Sequence, residues 1–457
     1  MNSQQLLDLD YLTKKYDETN VPLYLSYPTT GFWKTVPEST AYLAEIQKFF
    51  HNGQKPFLYF HFPFCQKACY YCCCYKIITD DDNQLDLYIQ YLKKEMDLKM
   101  SENNGKKLNI SQLHWGGGTP TLLSLRQIND IYSYISDYIE IDHSNKSGIS
   151  IEAYPDEKVL TDEKIKHLFD AGFNEISFGI QDFHPRVQNI INRDCDIDTF
   201  KKILEKVKKI GFRVHADLCY GLPFQGLSEF EHTLQETVRL DLDRIAVFPY
   251  AHNPFLFPLQ RKIPISSIPN SFTKTLQSIL ADDKFCAAGY KKIGIDHYVK
   301  NTNSIYHDYL KGKAIKDFMG YSVSDRRNLI GFGLSAISSL TGQLYHNCLG
   351  LDSYYLKLDN NILPFENTMS HKMDRDDFIR NKIILKHILT DFRINKKSLE
   401  QEFGIHFDNY FDNELQKLKS LIEDGLLKID NNEINITDKG EHLARNIALV
   451  FDKYYKN

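Results

Sequence analysis

After residue 56 the chain alternates short apolar runs with amphipathic stretches, and this alternation is the main guide to its fold. Apolar runs of β type predict strands over residues 57–62, 110–115, 148–152, 174–181, 212–219 and 244–250. The stretches between them have helical spacing and predict helices over residues 85–100, 125–141, 161–171, 196–210 and 227–240. Because strands separated by helices form βαβ units, the pattern predicts an α/β fold with a parallel sheet.

The pattern changes on either side of this region and predicts three parts. Residues 1–50 form an aromatic-rich lead-in, residues 51–367 an α/β domain, and residues 368–457 a mostly helical C-terminal domain. In the last part, helices precede a hairpin over residues 426–436, with a tight turn at Asn431-Asn432, and a final helix follows. Helices followed by a hairpin are typical of a winged-helix-like domain.

Composition and charge exclude several classes of protein. Of the 457 residues, 42% are apolar and 25% are charged, as in soluble globular proteins. The net charge of -5 argues against a protein that binds nucleic acid or anionic lipid by electrostatics. No run is long and apolar enough to cross a bilayer, and the polar N-terminus is not a signal peptide. An odd number of cysteines with irregular spacing predicts a reducing cytoplasm.

Five of the nine cysteines lie within ten residues, directly after the first predicted strand. They form the pattern Cys65-x3-Cys69-x2-Cys72-Cys73-Cys74. If the first three bind, a cluster of four irons keeps one iron open for a group that is not protein. The alternative is a zinc site made from Cys65, Cys69, Cys72 and Cys74. It is disfavoured because structural zinc normally joins two separated ligand pairs, whereas these four thiols lie in one short loop.

Other unusual residues lie at or just past the carboxyl ends of the predicted strands, at the sheet edge where barrel-like α/β folds place their active sites. They are the run Gly116–Pro120, Glu152, Gln181, Asp217 and the pair Tyr250-Ala251. The three glycines allow backbone N–H groups to face a bound group, although a simple tight turn has the same composition. Arg193 suits a bidentate pair with a carboxylate, and a surface salt bridge is an equal alternative.

The cysteine loop and its flanking residues, Phe60-His-Phe-Pro-Phe-Cys65-x3-Cys69-x2-Cys72-x-Cys74, resemble the cluster loop of radical S-adenosylmethionine (SAM) enzymes. The whole chain is most similar to the oxygen-independent coproporphyrinogen III oxidases. The matching segments are Tyr27-Pro28, Leu113–Thr121, Ile149–Glu152, Gly179–Phe183, Asp217–Pro223, Tyr250–His252, Asp296-His297, Ser335–Ser338, Asp391–Arg393, Glu423–Leu426, Thr437–Gly440 and Arg445-Asn446. Their order along the chain makes the resemblance specific.

The resemblance implies a partial (β/α)6 radical SAM barrel with an N-terminal lead-in and a C-terminal winged-helix-like domain. It assigns Cys65, Cys69 and Cys72 as ligands of a [4Fe–4S] cluster whose open iron takes SAM. It also implies two SAM molecules in one site, which are contacted by Tyr59, Tyr71, Gly117, Gly118, Thr119, Glu152, Gln181, Arg193, Asp217, Ala251 and Ile337. No side chain is required as a nucleophile, so no catalytic residue is predicted.

The chemistry implied by the resemblance is done by the cofactors. Reductive cleavage of SAM gives a 5′-deoxyadenosyl radical, which removes a hydrogen from the β-carbon of a substrate propionate. Loss of an electron and of carbon dioxide leaves a vinyl group, and two propionates of coproporphyrinogen III react to give protoporphyrinogen IX. The partners implied are this tetrapyrrole and an unidentified electron donor, and the protein is implied to be a monomer that binds neither nucleic acid nor membrane.

The chain departs from the family pattern at several points. Cys73 stands where a small residue is common, and Leu23 and Leu25 replace an arginine and a threonine. Arg326 and Arg327 suit either substrate propionates or a surface loop. A heme-binding chaperone of the same superfamily is the main rival, but such proteins usually lack the lead-in and have phenylalanine at the position of Cys74. An anaerobic heme-opening radical SAM enzyme is a second rival. A DNA-binding regulator with a metal sensor is a third, disfavoured because charges after residue 373 nearly balance.

Overall fold

Six parallel strands form the centre of the protein, as the sequence predicts. The computed structural model describes residues 2–17, 21–101, 103, 105–140, 148–323 and 328–455. The parallel strands are β1 (Phe57–Phe62), β2 (Gln112–Gly117), β3 (Ile149–Ala153), β4 (Glu175–Gln181), β5 (Arg213–Tyr220) and β6 (Arg244–Pro249). They are neighbours in this order, and each adjacent pair is parallel. The partial barrel with βαβ connections is therefore confirmed.

Helices connect these strands and cover the sheet. They are Asp82–Lys99, Leu125–Tyr138, Asp162–Asp170, Pro185–Ile190, Ile197–Ile210 and Leu227–Arg239. The side chains of Asp81, Ser124, Thr161 and Asp196 accept a backbone N–H at the start of a helix, which satisfies donors that have no partner within the helix. These local signals explain why the predicted helices form close to their predicted bounds.

The sheet extends beyond the barrel strands on both sides, which the sequence pattern did not predict. Next to β1 lie Leu329–Phe332, Ile337–Leu340, Gln343–Asn347 and Phe365–Lys372, of which the first is parallel to β1. Next to β6 lie the antiparallel strands His297–Val299 and Lys291–Ile293. A separate hairpin pairs Ala314–Asp317 with Gly320–Val323. Arg326 and Arg327 lie outside the described residues. Three further helices of this region are Ser271–Ala287, Ser304–Leu310 and Leu351–Asp359.

The lead-in, expected as a separate segment, packs against both other parts of the protein. Its helices are Ser3–Lys15 and Ser39–Phe49. Tyr24 and Tyr27 are buried in an apolar cluster of the C-terminal region, whereas Tyr42 and Ile46 belong to the barrel core. About fifty residues bury too little apolar surface for a core of their own, so the segment is stabilised by its neighbours.

The C-terminal region has the predicted winged-helix-like order. Its helices are Arg375–Asn381, Lys396–Phe403, Phe407–Tyr410, Asp412–Glu423, Asp438–Glu441 and Ala444–Val450, with a π-helical segment at Lys382–Ile388. The predicted hairpin pairs Leu427–Ile429 with Glu433–Ile436, and Arg393–Asn395 adds a third strand. In the described part of the chain, every helix is too short or too polar to cross a membrane. The exact domain boundaries stay a prediction.

Candidate functional site

A cavity of about 490 Å³ lies at the carboxyl ends of the parallel strands. It gathers most of the residues assigned to the cofactors from the sequence. They are Cys65, Cys69, Tyr71, Cys72, Gly117, Gly118, Thr119, Glu152, Gln181, Arg193 and Asp217. Carboxyl ends of parallel strands meet at one edge of a sheet, so positions far apart in sequence are brought together here.

The three predicted ligand thiols lie in the loop that follows β1, and each accepts a hydrogen bond from a neighbour. Cys65 Sγ is 3.6 Å from the Thr119 hydroxyl, and Cys69 Sγ is 3.5 Å from Nη1 of Arg193. The backbone N–H of Cys74 is 3.4 Å from Cys72 Sγ. Donors of this kind stabilise a thiolate, which is the form that binds metal.

The ionisation of these thiols differs along the loop. Hydrogen bonding to Cys74 lowers the pKa of Cys72 to about 6, with help from the Lys76 ammonium and against the effect of burial. Burial raises the pKa of Cys65 to about 11. Cys65 therefore requires the positive charge of a bound metal to lose its proton at neutral pH. Among the described residues, no three Cys, His, Asp or Glu side chains converge closely enough to hold a single ion.

At the end of β2, the amides of Gly117, Gly118 and Thr119 donate to other protein groups and do not face the cavity, contrary to the expectation from the sequence. The N–H of Gly117 donates to Glu152 Oε2 at 2.9 Å. The N–H groups of Gly118 and Thr119 donate to the carbonyls of Phe62 and Phe64, each at 2.8 Å. A Cβ on Gly118 would lie 2.5 Å from the Phe64 carbonyl oxygen. The glycines are therefore needed for close packing of this turn against the cysteine loop.

Glu152 is held as a carboxylate at the end of β3. Its Oε1 is 3.3 Å from Nε2 of His114, and its Oε2 accepts the Gly117 amide. Although burial opposes ionisation, these two donors hold the pKa of Glu152 below its ordinary value. His114 is in turn fixed by Ser150 Oγ at 2.6 Å and by the Tyr59 ring, which is stacked on it. The sequence did not predict a role for His114, because the only signal was a single polar residue within a predicted strand.

Arg193 lies inside the site, and with the described carboxylates it does not form the surface salt bridge that was the alternative. Its Nη2 donates to the Gly179 carbonyl, and its guanidinium is 4.6 Å from the centre of the Tyr154 ring. Its Nε is buried and has no hydrogen-bond partner among the described residues. A buried N–H without a partner is costly, and an incoming carboxylate would satisfy it. Nearby, Gln181 has a left-handed backbone (φ 69°) beside a bulge in β4, a strained conformation that is common at binding sites.

Asp217 also lines the cavity, but it lies within β5 and not at the strand end expected from the sequence. Its Oδ2 accepts the Ser177 hydroxyl at 3.3 Å. Burial, together with the negative charge of Glu152, raises the pKa of Asp217 to about 6. Asp217 is therefore a carboxylate at neutral pH and gains a proton just below it.

Three predicted contact residues lie elsewhere. Tyr59 lies behind the site, where its hydroxyl is 2.8 Å from Nδ1 of His61. Ala251 lines a second cavity beside Tyr250, and Ile337 begins a neighbouring strand of the extended sheet. His61, also missed at the sequence level, is packed against Gly117, where a Cβ would lie 2.4 Å from its ring.

Comparisons with known proteins match both the barrel and the C-terminal region. The family described as "Radical SAM superfamily" matches residues 59–237, and the family described as "HemN C-terminal domain" matches residues 373–441. The chain is 36% identical over 461 residues to an oxygen-independent coproporphyrinogen III oxidase of Salmonella typhimurium, covering 99% of this chain and 97% of the relative. It is 35% identical to the protein of the same name from Synechocystis, covering 98% and 95%. A solved structure described as coproporphyrinogen III oxidase (HemN) from Escherichia coli, a radical SAM enzyme, superimposes with a TM-score of 0.85 at 33% identity, covering 95% of this chain and 98% of that chain.

Proposed function

The chain belongs to the family of oxygen-independent coproporphyrinogen III oxidases, and we propose that it converts two propionates of coproporphyrinogen III into vinyl groups. The product is protoporphyrinogen IX, and the protein is an oxidoreductase of heme biosynthesis. The observation that carries this proposal is the match along nearly the full length of named relatives, which includes the lead-in and the C-terminal region. A heme chaperone that begins near the first strand would lack the first of these.

The residues of the cavity fit the cofactors of the family. Cys65, Cys69 and Cys72 would hold a [4Fe–4S] cluster, because three thiols with hydrogen-bond donors line one cavity. When bound, the reduced cluster and SAM supply the carbon radical that removes a hydrogen from the substrate. A stoichiometry of two SAM per site is part of the proposal. Support for a reducing cytoplasm comes from the nine cysteines, all described, none of which is in a disulfide.

The side chains of this chain provide binding and orientation. The Arg193 guanidinium suits the carboxylate of SAM, since its buried Nε has no other partner among the described residues. The Glu152 carboxylate suits an ammonium group, and Asp217 suits a hydroxyl or amino group. Because these groups are fixed by His114, Gly117, Gly179 and Ser177, they are in place before the ligand arrives. An electron donor and a monomeric state complete the proposal.

The direct test is a turnover assay. Protein reconstituted anaerobically with iron and sulfide, and given SAM, a chemical reductant and coproporphyrinogen III, is expected to form protoporphyrinogen IX. Product is measured by chromatography after oxidation to the fluorescent porphyrins. Protein without reductant is the control. Cleavage of SAM without any vinyl product, together with tight stoichiometric heme binding, would identify the chaperone instead.

Replacing Glu152 by glutamine is expected to weaken SAM binding by about 10- to 100-fold, the range for losing a charged hydrogen-bond partner. The variant retains the shape of the side chain but removes its charge. Binding is measured by equilibrium dialysis, and iron content is expected to stay unchanged. The exposed Glu163→Gln on the helix Asp162–Asp170 is the matched control. An unchanged SAM affinity, or a loss of iron, would contradict the assigned role of Glu152.

A further inference from the structure

In the described part of the chain, three cationic side chains line the first cavity, those of Lys67, Lys76 and Arg193. Lys67 is exposed and forms an ion pair with Asp194 at 2.5 Å, and Arg193 is assigned above to the carboxylate of SAM. Lys76 has no such role. Among the described residues, its ammonium pairs with no carboxylate and donates only to carbonyl oxygens. A positive charge beside the cysteine loop therefore has no counter-ion in the part of the protein that the structure describes.

The Lys76 ammonium lies against the turn that ends the cysteine loop. Its Nζ is 3.2 Å from the carbonyl oxygen of Cys72 and 3.4 Å from that of Cys74. In the same turn, the backbone N–H of Cys74 is 3.4 Å from Cys72 Sγ. Carbonyl oxygens orient an ammonium group but do not neutralise its charge, so a full positive charge stays next to one of the three predicted ligands.

The backbone beside Lys76 is fixed to the strand that leads into the cysteine loop. The short strands Phe64–Cys65 and Ile77–Ile78 pair in parallel, and Lys76 directly precedes the second of them. The N–H of Ile77 donates to the Pro63 carbonyl at 2.6 Å. The backbone that carries Lys76 is therefore held by the same segment that supplies the first predicted ligand, and it is in place before a cofactor binds.

The charge of Lys76 acts on the electrons that a cluster at these thiols takes up. An iron–sulfur cluster held by three thiolates has a net negative charge, which grows when the cluster is reduced. A nearby cation stabilises the more negative form and so raises the reduction potential. The Glu152 and Asp217 carboxylates line the same cavity and have the opposite effect. Lys76 offsets these carboxylates from the side of the cysteine loop.

We propose that Lys76 sets the reduction potential of the cluster, raising it through a positive charge next to Cys72. The proposal rests on the proposed function, which supplies the cluster and the electron donor. In the step concerned, one electron passes from the reductant to the irons of the cluster. The reductant is oxidised by one electron, no bond forms or breaks, and no proton is taken up. Lys76 acts through the cluster, and its own bonds do not change.

The test is a redox titration of the anaerobically reconstituted protein, without SAM and without porphyrinogen. The reduced cluster is measured by its electron paramagnetic resonance signal, normalised to the iron content of each sample. Lys76→Met keeps the length of the side chain and removes its charge. At the midpoint potential of the wild-type protein, the variant's ratio of reduced to oxidised cluster is expected to fall about tenfold, which corresponds to a midpoint potential lower by about 59 mV for one electron.

Three further variants separate charge from structure. Lys76→Gln removes the charge but keeps an N–H donor for the turn, and the same fall is expected. Lys76→Arg keeps the charge, so its ratio is expected to stay within about twofold of the wild-type value. Lys67→Met is the matched control at the same cavity, because its charge is exposed and already paired with Asp194. Its ratio is also expected to stay within about twofold of the wild-type value.

A lower potential in every neutral Lys76 variant that keeps its iron supports the proposal. An unchanged potential in such a variant overturns it, and so does an equal fall in Lys76→Arg or Lys67→Met. Loss of iron from both neutral variants overturns it in favour of a structural role at the turn. A weaker SAM affinity in equilibrium dialysis, with an unchanged potential, would assign Lys76 to the SAM carboxylate instead.

The titration and the turnover assay fail independently. If the potential depends on Lys76 but no protoporphyrinogen IX forms, the proposed function fails and the role of Lys76 stands. If protoporphyrinogen IX forms while the neutral variants keep the wild-type potential, the role of Lys76 fails and the proposed function stands. A wild-type protein that holds no iron–sulfur cluster after reconstitution would overturn both.

Discussion

Replacing Cys69 by serine is expected to abolish the iron–sulfur cluster and all turnover. Cys69 is the most buried of the three predicted ligands, and its sulfur lies 3.5 Å from the Arg193 guanidinium. A serine hydroxyl does not ionise at neutral pH and is a poor ligand for iron that thiolates otherwise hold. Iron and sulfide are expected to fall from about four of each per chain to background, with loss of the cluster's visible absorption. The same result is expected for Cys65→Ser and Cys72→Ser.

Cys73→Gly is the matched control within the same loop. The Cys73 thiol is exposed, and its contacts are Gln260 Nε2 at 3.5 Å and the Tyr71 carbonyl at 3.7 Å. Although the residue as a whole is exposed, the protein atoms around its sulfur and the negative charge of Cys72 raise the pKa of the Cys73 thiol to about 12. The variant is expected to retain full iron content and activity. Circular dichroism is measured on both variants to show that they are folded. Loss of the cluster in folded Cys73→Gly, or retention of the cluster in folded Cys69→Ser, would show that the ligand assignment is wrong.

The barrel was predictable because each of its elements has a strong local signal. Apolar runs predicted β1 to β6, and capping residues such as Thr161 and the glycine after Ile210 marked the helix ends. The cysteine loop was predictable for the same reason, since its ligands are close in sequence. Parallel strands then bring Glu152 and Asp217 to one cavity without any further information.

The rest depends on contacts between distant parts of the chain, which no local pattern reports. The strands Leu329–Phe332 and Gln343–Asn347 are short and are not separated by helices, so they gave no βαβ signal. The internal use of the Gly118 amide follows from the position of the cysteine loop. The second cavity is lined by Val21, Lys274 and Leu443, which lie far apart in the sequence. Ala251 lines this cavity, whereas Glu152 lines the first one.

A buried ion pair fixes one of these distant strands to the barrel. Glu95 and Lys99, on the helix Asp82–Lys99, have fully buried side chains 2.7 Å apart. The Glu95 carboxylate also accepts hydrogen bonds from Gly333 N–H, Tyr354 OH and Asn347 Nδ2, at 2.6 to 2.7 Å. The Lys99 ammonium donates to the Gly331 carbonyl at 2.6 Å. The pair therefore connects the helix to the end of the strand Leu329–Phe332, next to β1.

Glu95→Gln is expected to lower the free energy of unfolding by about 3–5 kcal/mol, because it leaves the Lys99 charge buried without a counter-ion. The NH2 group of the glutamine would also face N–H and O–H groups whose hydrogen bonds the Glu95 carboxylate accepts. Lys99→Met is expected to cost less, since the Glu95 carboxylate keeps its three other donors.

Unfolding is measured in urea by circular dichroism on anaerobic protein. Asp170→Asn, which breaks the exposed i,i+4 pair with Lys166, is the matched control and is expected to cost about 0.5 kcal/mol or less. Equal losses for Glu95→Gln and Asp170→Asn would contradict this role, and a larger loss for Lys99→Met than for Glu95→Gln would show that the cation, and not the carboxylate, organises the network.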